Sequence, residues 1–202
     1  MTTLRQRTRH VYGRRPMETD DRINLLARVA RSPGAAKTTG GHASILTLAA
    51  QSYGAKVSDE STVPTGFDPS AARLFEAIVE GAYLVASADG VIDENERQTF
   101  EKVVATACGG VVTEEQVTAL VADLTDELKE DGLDARVRAV AERAPKRPQG
   151  EEVLRIAALL AQSSEDVSAV ERDVLVKLAA ACNLTPADVD IALDDVRKSL
   201  SG

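Results

Sequence analysis

The chain has 202 residues, of which 44% are apolar, 28% charged and 3% aromatic, and its net charge is -8. That length can bury the core of one ordinary domain with or without an extension, and no apolar run approaches the eighteen or so residues of a membrane span. The two cysteines, Cys108 and Cys182, exclude a disulfide scaffold, and the two histidines, His10 and His42, cannot build a histidine zinc site.

Charge is unevenly spread along the chain. Residues 1–37 hold nine Lys/Arg against three acids, a balance of +6, and residues 38–202 hold fifteen against twenty-nine, a balance of -14. The pattern reads as a basic arm on an acidic body. Arg14-Arg15 leads into Pro16-Met17-Glu18-Thr19-Asp20-Asp21 rather than an apolar run, so the arm is expected to be mature sequence and not an export signal. Asp20 can cap a short helix with Ile23, Leu26, Ala27 and Ala30 on one face. Ile45, Leu46, Leu48, Ala49 and Tyr53 predict a second. Each apolar face must rest on the main body, on a second copy or on a partner. Glycines and prolines up to Pro69 place a boundary near Phe67, so residues 1–66 are expected to form an N-terminal extension and residues 67–202 the main domain.

From residue 67 every strong signal is helical. Asp68 caps and Pro69 starts a helix carrying Leu74, Phe75, Ile78, Val79, Ala82 and Val85, expected to run to Gly90. Asp93 and Glu96 form a capping box for a helix reaching Cys108, stopped by Gly109-Gly110. Thr113 and Gln116 box the next, through about Glu130. A shorter helix over 134–144 is broken by Pro145 and Pro148, and another runs from Glu151 to Ser163. Ser168 and Glu171 box a helix to Cys182, and Thr185 with Pro186 starts the last. The expected fold is all-α, a compact bundle of about seven helices behind the extension.

The body repeats itself. Ala86 to Lys102 aligns with Ala161 to Lys177 at a constant offset of 75, pairing Glu96-Arg97 with Glu171-Arg172. After small gaps Cys108 falls against Cys182, and Val112-Thr113 against Leu184-Thr185. Two copies at this period make a pseudo-symmetric bundle rather than a solenoid.

The loop Ala88-Asp89-Gly90-Val91-Ile92-Asp93-Glu94-Asn95-Glu96 gathers carboxylates. Asp89 stands at a helix C-terminus, where the backbone dipole disfavours an anion, and Asp93 and Glu96 stand at an N-terminus that favours them. A hard cation would relieve the repulsion, and oxygen donors suit calcium, magnesium or manganese better than zinc. Helix capping alone also explains Asp93 and Glu96, since the second copy keeps the box as Ser168 and Glu171. Asp89 is the residue that capping does not require. The loop is not an EF-hand, because the sixth position from Asp89 is Glu94 and the twelfth is Phe100.

An Ala-Asp-Gly-x-Ile-x-x-x-Glu loop between helices, the duplication, and the segment Cys182-Asn183-Leu184-Thr185-Pro186-Ala187-Asp188 resemble the TerB-like (tellurite resistance TerB) family over roughly residues 70–199. The resemblance implies a helical bundle in a bacterial cytosolic stress response, working through partners at the inner membrane face. It also implies a metal held by Asp89, Asp93 and Glu96. The second motif departs from the family's Asp-Gly, leaving Glu165, Asp166 and Glu171 as imperfect substitutes.

No catalytic constellation assembles. No nucleophile motif surrounds a serine, and no phosphate loop follows a strand. An enzyme is therefore not expected. The two cysteines read as buried small hydrophobes. Arg5, Arg7, Arg9, Arg14 and Arg15 can hold a protein assembly or an anionic membrane surface, which makes a metal-free adaptor the rival reading. Nucleic acid is disfavoured by the acidic body. A protein partner or a homo-oligomer is expected.

Overall fold

The structure, a computed structural model, describes residues 19–33, 43–55, 67–90, 92–162 and 167–201. Among them are nine helices and no strand: α1 (Thr19–Arg31), α2 (Ile45–Gly54), α3 (Pro69–Ala86), α4 (Glu94–Ala107), α5 (Glu114–Asp131), α6 (Leu133–Arg143), α7 (Arg147–Ala161), α8 (Ala169–Ala181) and α9 (Pro186–Ser201). The fold is all-α, as the periodicity predicts, with seven helices after residue 67.

The centre is the pair α3 and α7, which lie along each other. Every residue from Ala77 to Val85 and from Glu152 to Ala161 is buried, so both helices are covered all round. The duplication is visible in the packing. On α5 the buried residues are Val117, Leu120, Val121 and Leu124, and on α9 they are Val189, Ala192, Leu193 and Val196. The two sets correspond one to one at an offset of 72, the spacing that pairs Thr113 with Thr185. Under the same correspondence α3, α4 and α5 match α7, α8 and α9.

The peripheral helices obey it too. α6 packs on α8, α3 and α5, while α1 packs on α4, α7 and α9. Exchanging the two halves turns one set into the other, so α1 in the extension is the spatial counterpart of α6. Buried charge holds each in place. Glu80 on α3 accepts from Arg136 Nε of α6 at 2.6 Å and from Arg143. Arg155 on α7 stands 75 residues after Glu80 and donates to the Val29 and Ala30 carbonyls of α1 at 3.0 and 2.8 Å. Glu152 binds Arg155 Nε at 2.8 Å and accepts the Leu46 N–H of α2 at 3.0 Å. One buried ion pair therefore closes the C-terminal end of α1 and the N-terminal end of α2, where backbone groups lack helical partners.

The support of the two short helices is thus the main body. Ile23, Leu26, Ala27, Leu46, Ala49 and Tyr53 belong to one core cluster with α3–α9, and packing runs across residue 67. α2 lies along α3, with the Tyr53 and Phe75 rings 4.7 Å apart. Gly54 is required there, because a Cβ would sit 1.8 Å from the Val111 carbonyl oxygen. Three local readings differ from the sequence pattern. α3 ends at Ala86 and turns before Gly90. α7 begins at Arg147, with Pro148 inside its first turn, where a missing N–H costs no helical bond. Leu48, placed on the apolar face of α2, is 56% exposed.

Candidate functional site

The carboxylate loop joins α3 to α4. Residues 87–89 form a turn and Gly90 has φ +144, a conformation open to glycine. Asp93 Oδ1 accepts the N–H groups of Asn95 and Glu96 at 2.7 and 2.9 Å, and Glu96 Oε2 accepts the Asp93 N–H at 2.9 Å. This is the expected capping box. The second copy repeats it, with Ser168 Oγ accepting the Glu171 N–H at 3.2 Å and Glu171 Oε2 accepting the Ser168 N–H at 2.8 Å.

Asp89, Asp93 and Glu96 are all exposed. Their oxygens suit a hard cation in kind, but no group of three His, Cys, Asp or Glu among the described residues is placed to hold a metal ion. As arranged, the three carboxylates do not fit a metal centre, and one oxygen each of Asp93 and Glu96 is committed to the cap. Glu165 and Asp166 lie outside the described residues, as do Arg5, Arg7, Arg9, Arg14 and Arg15. Glu171 is the N3 partner of the Ser168 cap.

The two cysteines are free and buried at the ends of α4 and α8. Burial pushes the Cys108 thiol up to about 12 and raises that of Cys182, which suppresses thiolate chemistry.

A second feature lies at the other end of α7. A groove of about 350 Å³ opens between α7, α9 and the residues flanking the α1–α2 connection. Leu154, Ile45, Ala192 and Ile191 form its apolar surface, and Glu151, Asp188 and Asp195 its acidic rim. Ile191 is 58% exposed, a large apolar residue turned outward from α9. Arg147 pairs with Glu151 and Asp188 at 2.8 and 2.7 Å, whereas Asp195 makes no ion pair among the described residues. The Asp188 carboxyl is held below its usual range first by the Thr185 N–H and hydroxyl, with Arg147 adding to them.

Sequence reading left this groove out, although a signal was present. Extending the two offsets pairs Glu76 with Glu151 and Asp123 with Asp195, so carboxylates recur at matched positions on α3/α5 and α7/α9.

No helix of the described residues is long and apolar enough to cross a membrane. No curated protein matches the chain, and no solved structure does. The family profile described as Tellurite resistance protein TerB matches residues 75–194, from the second turn of α3 into α9 and therefore through both copies of the duplication. With more than half of its length in that match and the helical architecture that goes with it, the chain belongs to the TerB family of tellurite resistance proteins.

Proposed function

We propose that the protein is a non-catalytic TerB-type helical module that acts by docking a protein partner in the groove between α7 and α9. The observation that carries this reading is the apolar groove with Ile191 exposed above an acidic rim, on a body whose other large apolar side chains are almost all inside. A helix–helix groove with a central apolar contact and polar rim is the form that recognition of a peptide segment takes. The setting implied by the family resemblance is a bacterial cytosolic stress response. Photo-crosslinking in the producing cell, from a benzophenone residue at position 191 and separately at position 48, tests it. Adducts from 191 and not from 48 are expected. None from 191, or equal yields from both, would remove the reading.

A second reading concerns the α3–α4 loop. Asp89 is surplus to capping, Asp93 Oδ2 and Glu96 Oε1 are not engaged in the box, and the buried hydroxyl of Ser87, in the same loop, has no partner among the described residues. We infer a weak site for calcium, magnesium or manganese that forms when the loop rearranges. Thermal unfolding of the full chain with each ion, beside Asp89→Ala, tests it. At about a hundred times its dissociation constant an ion stabilises by roughly 2.7 kcal/mol, and that gain should vanish in the variant. A melt indifferent to all three ions leaves the loop as a helix cap.

A further inference from the structure

We propose that α1 and α2 open from the body as one unit, a strap whose two helices are coupled through the Glu152–Arg155 pair, so that whatever lifts one helix releases the other.

The coupling does not come from apolar contact between the two. α1 buries Ile23, Leu26 and Ala30 and lies against α4, α7 and α9, whereas α2 buries Leu46, Ala49 and Tyr53 and lies chiefly against α3. Their contact with each other is slight. On packing alone, each helix would leave its own seat without disturbing the other.

Polar groups join them. The last four carbonyls of a helix lack helical donors, and in α1 all four find one outside the helix. Arg28 accepts the Ser32 N–H at 3.2 Å. Val29 and Ala30 accept from Arg155 Nη1 and Nη2, and Arg31 accepts the N–H of Ser44, the N-cap of α2, at 3.3 Å. A chain of bonds then runs from one helix to the other. Arg155 Nη2, bound to the Ala30 carbonyl, also donates to Glu152 Oε1 at 3.0 Å, and the same Oε1 accepts the Leu46 N–H of α2. Ser44, Glu152 and Arg155 are 2%, 5% and 9% exposed, so water does not stand in for a lost partner there.

This geometry makes a single departure costly. Losing α1 alone strands the Ser44 N–H and takes two acceptors from Arg155. Losing α2 alone strands the Arg31 carbonyl and takes the Leu46 N–H from Glu152. When both leave, Glu152 and Arg155 keep each other and water reaches the remaining groups. Opening the pair together therefore costs less than the sum of two separate openings, because no buried polar group is left without a partner.

The body has the means to stand while the strap is open. The family match begins at residue 75, after α2, and α3 and α7 lie along each other at the centre. The edge of the opening unit thus falls between α2 and α3. A partner that draws α1 from its seat also bares the α3 surface beneath Tyr53, which links two separate surfaces of the molecule.

Hydrogen exchange of the full chain under native conditions, read by mass spectrometry, tests the coupling. Residues 19–31 and 45–54 should share one opening constant, larger than that of residues 152–161 in α7. Leu26→Ala weakens the seat of α1 and leaves every junction group in place. It should speed exchange in α2 by the same factor as in α1, at least about tenfold. Tyr53→Ala should act reciprocally on α1. Arg155→Met should break the coupling, so that Leu26→Ala added to it speeds α1 and leaves α2 unmoved. Exchange in α2 that ignores Leu26→Ala overturns the proposal, as does one common opening for α1, α2 and α7. Coupling that survives Arg155→Met overturns it too. Should Arg155→Met fail to fold, Leu26→Ala and Tyr53→Ala decide the matter alone.

Discussion

The two halves of the body solve one packing problem with different chemistry. In the first, Glu80 sits at the middle of the central helix and gathers Arg136 and Arg143 from α6. In the second, the matched position is Arg155, which gathers backbone carbonyls from α1. The sign of the charge is reversed, yet each residue anchors the peripheral helix that crosses from the opposite half. What has been kept is a buried, fully partnered polar anchor at that place, because an unpartnered charge there would be costly. The groove shows the complementary lesson. Carboxylates recur at matched positions, Glu76 and Asp123 on α3/α5 and Glu151 and Asp195 on α7/α9, while Phe75, the ring that Tyr53 stacks on, is matched by Gly150.

The strongest way to break the comparison is to remove the anchors. Arg155→Ala strands buried Glu152 and uncaps the end of α1, so urea unfolding should show a loss of about 3–5 kcal/mol. Glu80→Ala should cost less, roughly 1–3 kcal/mol, because Arg136 retains Glu127 and Asp131. Equal losses would mean that the two positions are not held in the different ways described.

Two apolar side chains, one buried and one exposed, come next. Tyr53→Ala removes a core ring stacked on Phe75 and should cost about 3–5 kcal/mol in the same assay. Ile191→Ala, on the outer face of α9, should fall within about 0.5 kcal/mol of wild type, since an exposed side chain loses little.

The helix caps sharpen the comparison further. Asp93→Ala and Ser168→Ala each delete one cap of the same geometry and should each cost about 1 kcal/mol. With a divalent ion present, a larger loss at Asp93 alone would separate ligand from cap.

The last effect is alkaline. Tyr53 has its phenol raised from 10.0 to about 12, so the folded state holds that proton where the unfolded chain releases it. Its contribution is complete below pH 10 and is lost as pH rises from 10 through 12. Stability against pH should fall across that window, and Tyr53→Phe should flatten the fall.

Much of the architecture is legible in the chain itself. Capping boxes at Asp93, Thr113 and Ser168 mark helix starts because the side chains complete a local hydrogen-bond pattern. The family resemblance likewise follows from one loop and a repeat. The location of α1 and α2 is less accessible. Their apolar stripes demand cover, but the decisive contacts join residues more than a hundred positions apart, such as Leu46 and Glu152. Pro148 reads as a breaker although it sits in the turn that tolerates proline, and only the path of the chain before it shows this. At the loop, residue types suggest metal, whereas geometry assigns one oxygen each of Asp93 and Glu96 to backbone N–H groups. The groove was hidden because its lining comes from α7, α9 and residues 33 and 43–45, which no local pattern brings together.

The bond from Arg155 to Val29 spans 126 positions of sequence, and it imposes an order in time. At roughly 5–20 residues per second, synthesis takes on the order of 6–25 s to pass from one end of that contact to the other. For that interval α1 lacks both the α7 anchor and the α9 wall. Its early neighbour is α4. The seat of α1 is thus made by helices synthesised more than a hundred residues later, and translation speed sets how long Ile23, Leu26 and Val29 wait for the bundle to close over them.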